Sequence, residues 1–161
     1  MNKVVLLLGS NLGDGHLLFQ QVISLINERL GDLQLQSALY QSPPWGFKHE
    51  NDFLNQVLLL ETDLAAGEIL QTCLQIETDL GRERKEQKGY SARVIDIDIL
   101  FVNNEVLESN HLILPHPRLH LRKFTLLPLV ELMPDFIHPT LHKSMQALLV
   151  ACEDNSEVRK I

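Results

Sequence analysis

Lys3-Val4-Val5-Leu6-Leu7-Leu8-Gly9-Ser10-Asn11-Leu12-Gly13-Asp14 is the stretch on which the reading of the fold turns. A continuous apolar run stopped by glycine predicts a strand buried on both faces. Gly9 to Asp14 reads as a turn that feeds a helix. That helix is expected to run to about Leu30, with Leu18, Val22, Leu25 or Ile26 and Leu30 on one stripe and Gly31 as its stop.

Working outward, a second strand is expected over about Leu33 to Gln41, followed by a Pro-rich break from Ser42 to Asn51. A third strand starts near Phe53 and runs to Thr62. A second helix covers about Ala66 to Leu80, with Gly81 as its cap. Arg82 to Ala92 is polar and loop-like, and a fourth strand spans Val94 to Val102. The order β-α-β-β-α-β is that of an α+β, ferredoxin-like fold: an antiparallel sheet with both helices packed on one face. Short strands, a His/Pro/Arg-rich loop at 115–123 and one or two terminal helices follow as C-terminal additions. The tail Glu153 to Ile161 is polar and is expected to fray.

A chain of 161 residues fits one domain, 1–161. Its formal net charge of −7 is adverse to a nucleic-acid coat or a membrane-surface protein, which are normally basic. Cys73 and Cys152 have no metal-ligand spacing, and a reducing cytoplasm is the expected compartment. The run Val4 to Leu8 is too short for a signal peptide, and no segment approaches a membrane span.

Arg93-Val94-Ile95-Asp96-Ile97-Asp98-Ile99-Leu100-Phe101 carries the strongest chemical signal. Strand alternation puts Asp96 and Asp98 on one face and Ile95, Ile97 and Ile99 in the core. Two bare carboxylates about 7 Å apart repel by about 2 kcal/mol at an effective dielectric near 20. Aspartate is also a poor strand former. A hard dication compensates both, and magnesium binds through one or two carboxylates plus substrate phosphates. The alternative is a solvated edge strand carrying two stray acids.

The segment just upstream, Arg82 to Arg93, holds five basic and two acidic residues. Taken alone it reads as a solvated loop. Beside two same-face aspartates it suits polyphosphate, which needs positioning and charge neutralisation. Glu77 lies near the apolar stripe of its helix, able to reach a ribose or to pair with Arg82 or Arg84. Pro43-Pro44-Trp45-Gly46-Phe47 puts aromatic mass on a stiff extended loop, and Phe53 and Asn55 share a strand face. Together they suit a flat, hydrogen-bonding heterocycle. His116 and His120 have zinc-like spacing, but Pro115 and Pro117 argue against a helix there. His116, Arg118 and Arg122 read better as phosphate or hydroxyl contacts, with Phe124 as a second wall of the slot.

In joint order and spacing these motifs resemble the 6-hydroxymethyl-7,8-dihydropterin pyrophosphokinase family, from Val5 to about Leu132. The resemblance rests on Leu8 to Asp14, Ser42 to Gly46, Asp52 to Asn55, Glu77 with Gly81 to Arg84, Arg93 to Leu100, Leu114 to Pro117 and Arg122 to Phe124. It implies transfer of pyrophosphate from ATP to a pterin alcohol, with release of AMP, in tetrahydrofolate biosynthesis. It implies catalytic roles for Arg82, Arg93, Asp96 and Asp98, the aspartates holding two magnesium ions. Glu77, Arg84, Lys85, Lys88, Tyr90, Ile99, His116 and Arg122 would line the ATP site. Asn11, Ser42, Pro43, Pro44, Trp45, Phe53, Asn55 and Phe124 would form the pterin slot. A monomer is also implied, with small-molecule substrates and neither nucleic acid nor membrane as partner. The chain departs from the family at Tyr90-Ser91-Ala92, where many members have Trp-Gly-Pro in a loop one residue shorter, and at Pro117, where some have tyrosine. Two other classes compete: an RNA-binding ferredoxin-like module, and a metabolite-binding domain without chemistry.

Overall fold

β1 (Asn2–Ser10) is the centre of the molecule because its side chains are apolar on both faces. The computed structural model describes residues 1–11, 14–44, 52–81 and 94–161. After β1 come α1 (Gly15–Arg29), β2 (Asp32–Gln36), β3 (Tyr40–Ser42), β4 (Phe53–Thr62), α2 (Ala66–Gly81) and β5 (Asp96–Val102). A small hairpin follows, β6 (Leu107–Glu108) and β7 (Ile113–Leu114), and then α3 (Lys123–Leu132), α4 (Met145–Ala151) and β8 (Arg159–Lys160). The main sheet runs β5-β1-β4-β3-β8, with β2 also on β4, and its described pairings are antiparallel. The protein is thus α+β.

The alternation of β1 divides two cores. Val4, Leu6 and Leu8 pack with Phe19, Val22 and Ile26 of α1 and with Ile69, Cys73 and Ile76 of α2. Val5 and Leu7 pack on the other face with Leu126 and Leu129 of α3 and with Met145 and Leu148 of α4. Burying each such aliphatic side chain contributes about 1.5–3 kcal/mol. α1 and α2 share one face, as expected. The α1 stripe is centred on Phe19 rather than Leu18, which is only partly buried.

The expected second strand is divided in two. Ser37 breaks it: its N–H donates to the Val57 carbonyl at 2.9 Å, while its hydroxyl accepts from the Val57 N–H at 3.0 Å. A side chain thus stands in for a ladder carbonyl, and the chain re-enters the sheet as β3. The fourth strand is regular only from Asp96. Its alternation fails at Leu100, where the register on β1 shifts and Leu100 and Phe101 both enter the second core. The tail also differs from expectation. β8 pairs with β3, Tyr40 opposite Lys160, because β3 would otherwise expose an unpaired edge. Among the described residues no helix is long and apolar enough to cross a membrane.

Candidate active site

The α3/α4 layer leaves one end of its sheet face open. There the ladder sets Gly9 between Asn55 on β4 and Asp96 on β5, and sets Leu7 opposite Asp98. Gly9 keeps this floor flat, since a Cβ there would point at the Asn55 side-chain oxygen, 3.8 Å away. A cavity of about 150 Å³ stands on the floor, lined by Leu7, Gly9, Ser42, Pro43, Phe53, Asn55, Asp96, Asp98, Arg122 and Phe124. Period-two geometry is the reason the aspartates share this face, as the sequence predicts.

Asn55 is buried, and its amide donates to the Tyr40 carbonyl at 3.1 Å and to the Ser42 hydroxyl at 2.9 Å. Those two bonds use both amide hydrogens. Its oxygen is therefore the atom offered to the cavity, a fixed acceptor for a ring N–H or amino group. Phe53 and Phe124 supply apolar walls. The Arg122 guanidinium lies 5.6 Å from the centre of the Phe124 ring and 4.0 Å from Asp98 Oδ2. Burial lowers its pKa from the ordinary arginine value, and Asp98 pulls it back up, with Asp96 adding to that pull.

A second hollow of about 300 Å³ opens beyond Asp98, along the outer edge of β5. Leu70, Leu74 and Glu77 of α2, Ile97 to Ile99, the turn Ser109 to Ile113, His116 and Pro117 line it. Asp98 lines both hollows. The His116 Nδ1 accepts from the Arg118 N–H at 3.1 Å. Its proton in the neutral form therefore sits on Nε2, which makes it a donor. Burial, reinforced by Arg122 and Arg118, pushes the ring down to about 4, so it is neutral at pH 7. His120 instead lies against His138, with ring centres 6.4 Å apart, so the zinc-like spacing does not converge. Among the described residues no three His, Cys, Asp or Glu side chains form a metal cluster. Two strand carboxylates suit an oxygen-seeking cation whose other ligands are phosphate oxygens and water.

The Glu77 carboxylate accepts from the Ile97 N–H at 2.7 Å. It thereby grips β5 between the two aspartates, a role the sequence did not suggest. The Cys73 thiol is buried and is pushed up to about 12 by that burial, then by Glu77 and Asp98. Of the expected site residues, the structure gathers Ser42, Pro43, Phe53, Asn55, Phe124, Asp96, Asp98 and Arg122 in the first hollow and Glu77, Ile99 and His116 in the second. Asn11 and Pro44 are described but do not line either hollow. Trp45, Arg82, Arg84, Lys85, Lys88, Tyr90 and Arg93 lie outside the described residues. Sequence reasoning missed the floor residues Leu7 and Gly9 and the 109–113 turn. Only the glycine that ends the first apolar run pointed to any of them.

Two adjoining hollows, one aromatic and hydrogen-bonding, meeting at a pair of strand carboxylates, have the layout of a two-substrate transferase. The chain belongs to the 7,8-dihydro-6-hydroxymethylpterin-pyrophosphokinase (HPPK) family, whose model matches residues 5–134. The 2-amino-4-hydroxy-6-hydroxymethyldihydropteridine pyrophosphokinase of Porphyromonas gingivalis is 41% identical over 141 residues, which cover 86% of this chain and 95% of that protein. The same enzyme of Aquifex aeolicus is 38% identical over 146 residues, covering 91% of this chain and 89% of that protein. The folic acid synthesis protein FOL1 of Dictyostelium discoideum is 35% identical over 162 residues, and there the match covers 99% of this chain but only 24% of the relative. The fold is similar to that in a Plasmodium falciparum HPPK-DHPS crystal structure, with a TM-score of 0.75 at 19% identity, over 94% of this chain and 43% of that one.

Proposed function

We propose that this protein transfers the pyrophosphoryl group of ATP to 6-hydroxymethyl-7,8-dihydropterin, releasing AMP, in tetrahydrofolate biosynthesis. Family membership supports the reaction, and one structural observation carries its assignment to this cleft. Asp98 stands on the boundary between a slot for a flat heterocycle and a second hollow. A group moving from a ligand in one to a ligand in the other passes this carboxylate.

The pterin ring lies between Phe53 and Phe124, with the Asn55 oxygen accepting from it and Ser42 and Pro43 closing the slot. Trp45, Pro44 and Asn11 join this set by the sequence resemblance. ATP occupies the second hollow beside Ile99, with Glu77 and the His116 Nε2–H at its polar edge. Asp96 and Asp98 would hold magnesium, expected as two ions, which would supply positive charge to the phosphates. Arg122 adds fixed positive charge from the wall. Arg82, Arg84, Arg93, Lys85 and Lys88 neutralise the phosphates, and Tyr90 covers the nucleotide. The hydroxymethyl oxygen of the pterin attacks the β-phosphorus and gives up its proton to water. The bond from that phosphorus to the α–β bridging oxygen breaks, and AMP leaves with the oxygen. Catalysis rests on positioning and charge neutralisation more than on a protein base, because a carboxylate beside a cation is weakly basic.

The finer architecture is read as a ferredoxin-like core, since β5-β1-β4 flanked by β2 and β3 follows the split βαβ order, with α3, α4 and β8 as additions in a single domain. A cytoplasmic monomer is the accompanying expectation. The test is to incubate the protein with ATP, magnesium and the pterin alcohol and to separate the nucleotides by chromatography. AMP formed in step with the pterin product supports the reading. ADP, or no nucleotide product, rejects it.

A further inference from the structure

The segment Arg122-Lys123-Phe124 forms one wall of the first hollow through its two outer side chains. What holds this wall comes from far along the chain. α3 begins at Lys123, and the residue before it, Arg122, provides no side-chain cap. The Thr125 and Leu126 N–H groups reach the Arg122 carbonyl, each at 3.1 Å. The Lys123 N–H instead donates to Asp154 Oδ2 at 3.0 Å, across 31 residues. Asp154 is itself held. Its other oxygen accepts from the Ser156 N–H at 3.0 Å and from the Ser156 hydroxyl. Asp154 also lines a separate cavity with His120, Leu121 and Cys152, which neither Asp96 nor Asp98 lines.

We propose that Asp154 is a positioning residue for the cleft: its carboxylate caps α3 at Lys123 and so fixes Arg122 and Phe124, which flank that amide. The inference rests on the functional reading above. A carboxylate at a helix N-terminus satisfies an amide that has no intrahelical partner and also complements the helix dipole. Partial burial pushes the Asp154 carboxyl up. Hydrogen bonds from Ser156 and from the Lys123 and Ser156 N–H groups outweigh that and hold it below the ordinary carboxylate range. The cap is therefore charged at neutral pH. Arg122 needs this anchor, because its guanidinium must lie over Phe124 and within reach of Asp98 at once.

The test compares Asp154→Ala, Asp154→Asn and Ser144→Ala. Ser144 caps α4 by accepting from the Ala147 N–H at 3.1 Å, so its loss removes a comparable cap away from the cleft. Pterin-alcohol affinity is measured with and without a non-hydrolysable ATP analogue, KM and kcat with ATP, and Lys123 amide exchange by NMR. Asp154→Ala should weaken pterin binding and raise its KM at least fivefold, with faster Lys123 exchange. Asp154→Asn keeps one acceptor oxygen but loses the charge and turns an NH2 toward either the Lys123 or the Ser156 N–H, so it should fall between wild type and Asp154→Ala. Ser144→Ala should lower Tm by a similar amount and leave pterin affinity within twofold. If Asp154→Ala does not fold, Ser156→Ala, which removes the hydroxyl bond to the carboxylate and leaves the Ser156 N–H bond, should show the same pattern at a smaller, two- to threefold size. Unchanged pterin affinity in the Asp154 or Ser156 variant, or an equal loss in Ser144→Ala, overturns the proposal. A wild-type protein that releases no AMP from ATP with the pterin alcohol overturns the functional reading instead.

Discussion

Asn55→Asp changes one atom and tests how the heterocycle slot is built. The wild-type amide donates to the Tyr40 carbonyl and to the Ser42 hydroxyl. Aspartate keeps the shape and loses both donors. Two hydrogen bonds worth about 1 kcal/mol each are removed, and a buried carbonyl facing an anion costs roughly 1–3 kcal/mol more. The Ser42 hydroxyl can turn to donate to the new carboxylate and return about 1–2 kcal/mol. The net loss is about 1–4 kcal/mol, centred near 2.5, a large part of a domain's usual 5–15. In urea this is a midpoint shift of about 1–2 M with an unchanged slope. The new carboxyl is buried beside a carbonyl and across Gly9 from Asp96, so its folded pKa is raised. A raised carboxyl pKa means stability lost as pH rises, so the variant should recover part of the deficit between pH 7 and pH 5. It still presents an acceptor oxygen, so its pterin affinity should fall less than that of Asn55→Ala. A variant within about 0.5 kcal/mol of wild type at pH 7 would refute the claim that this amide joins β3 to β4.

Other outcomes follow from the same contacts. Asp98→Ala should cut turnover by about 10³-fold or more while Tm changes little, because the side chain is partly exposed and its removal leaves the core intact; near-normal AMP release would sink the metal assignment. His138 is buried, and its Nδ1 accepts from the Thr140 and Leu141 N–H groups at 3.2 and 3.0 Å. Burial, then His120 and His142, push it down to about 4. A lowered histidine pKa means stability held above about pH 6.5 and lost as pH falls toward 4. Wild type should therefore lose about 2 kcal/mol more than His138→Gln between pH 7 and 4.5, as read by urea unfolding. Gly31→Ala would place a Cβ 2.2 Å from the Glu61 carbonyl oxygen, whereas a Cβ at Gly67 meets nothing within 4 Å. Thermal unfolding should show Gly31→Ala destabilised by about 3 kcal/mol and Gly67→Ala stabilised by up to about 1.

Features that depend on local periodicity could be read from the chain. The apolar run of β1, the bounds of β4 and α2, and the shared face of Asp96 and Asp98 all follow from spacing within one element. Features that depend on a distant partner could not. Ser37 splits a strand through bonds to Val57, Glu77 grips the Ile97 amide, and Asp154 caps Lys123, across 20, 20 and 31 residues. β8 forms because β3 offers an edge, which the polar tail does not announce. The shift at Leu100 arises in the pairing of β5 with β1 and leaves no mark in β5 alone. The second hollow depends on where the 109–113 turn lands beside α2, so only Glu77, Ile99 and His116 were expected there, Glu77 and His116 from their own segments and Ile99 through the family resemblance.

The central claim is that the β- and γ-phosphoryl groups cross the Asp98 boundary together, as one unit. ATP labelled separately at the β and γ positions tests this directly with the pterin alcohol and magnesium. Both labels should appear in the pterin product in equal amounts, and the Asp98→Ala protein should transfer both about 10³-fold more slowly or not at all. Transfer of the γ label alone would contradict the account.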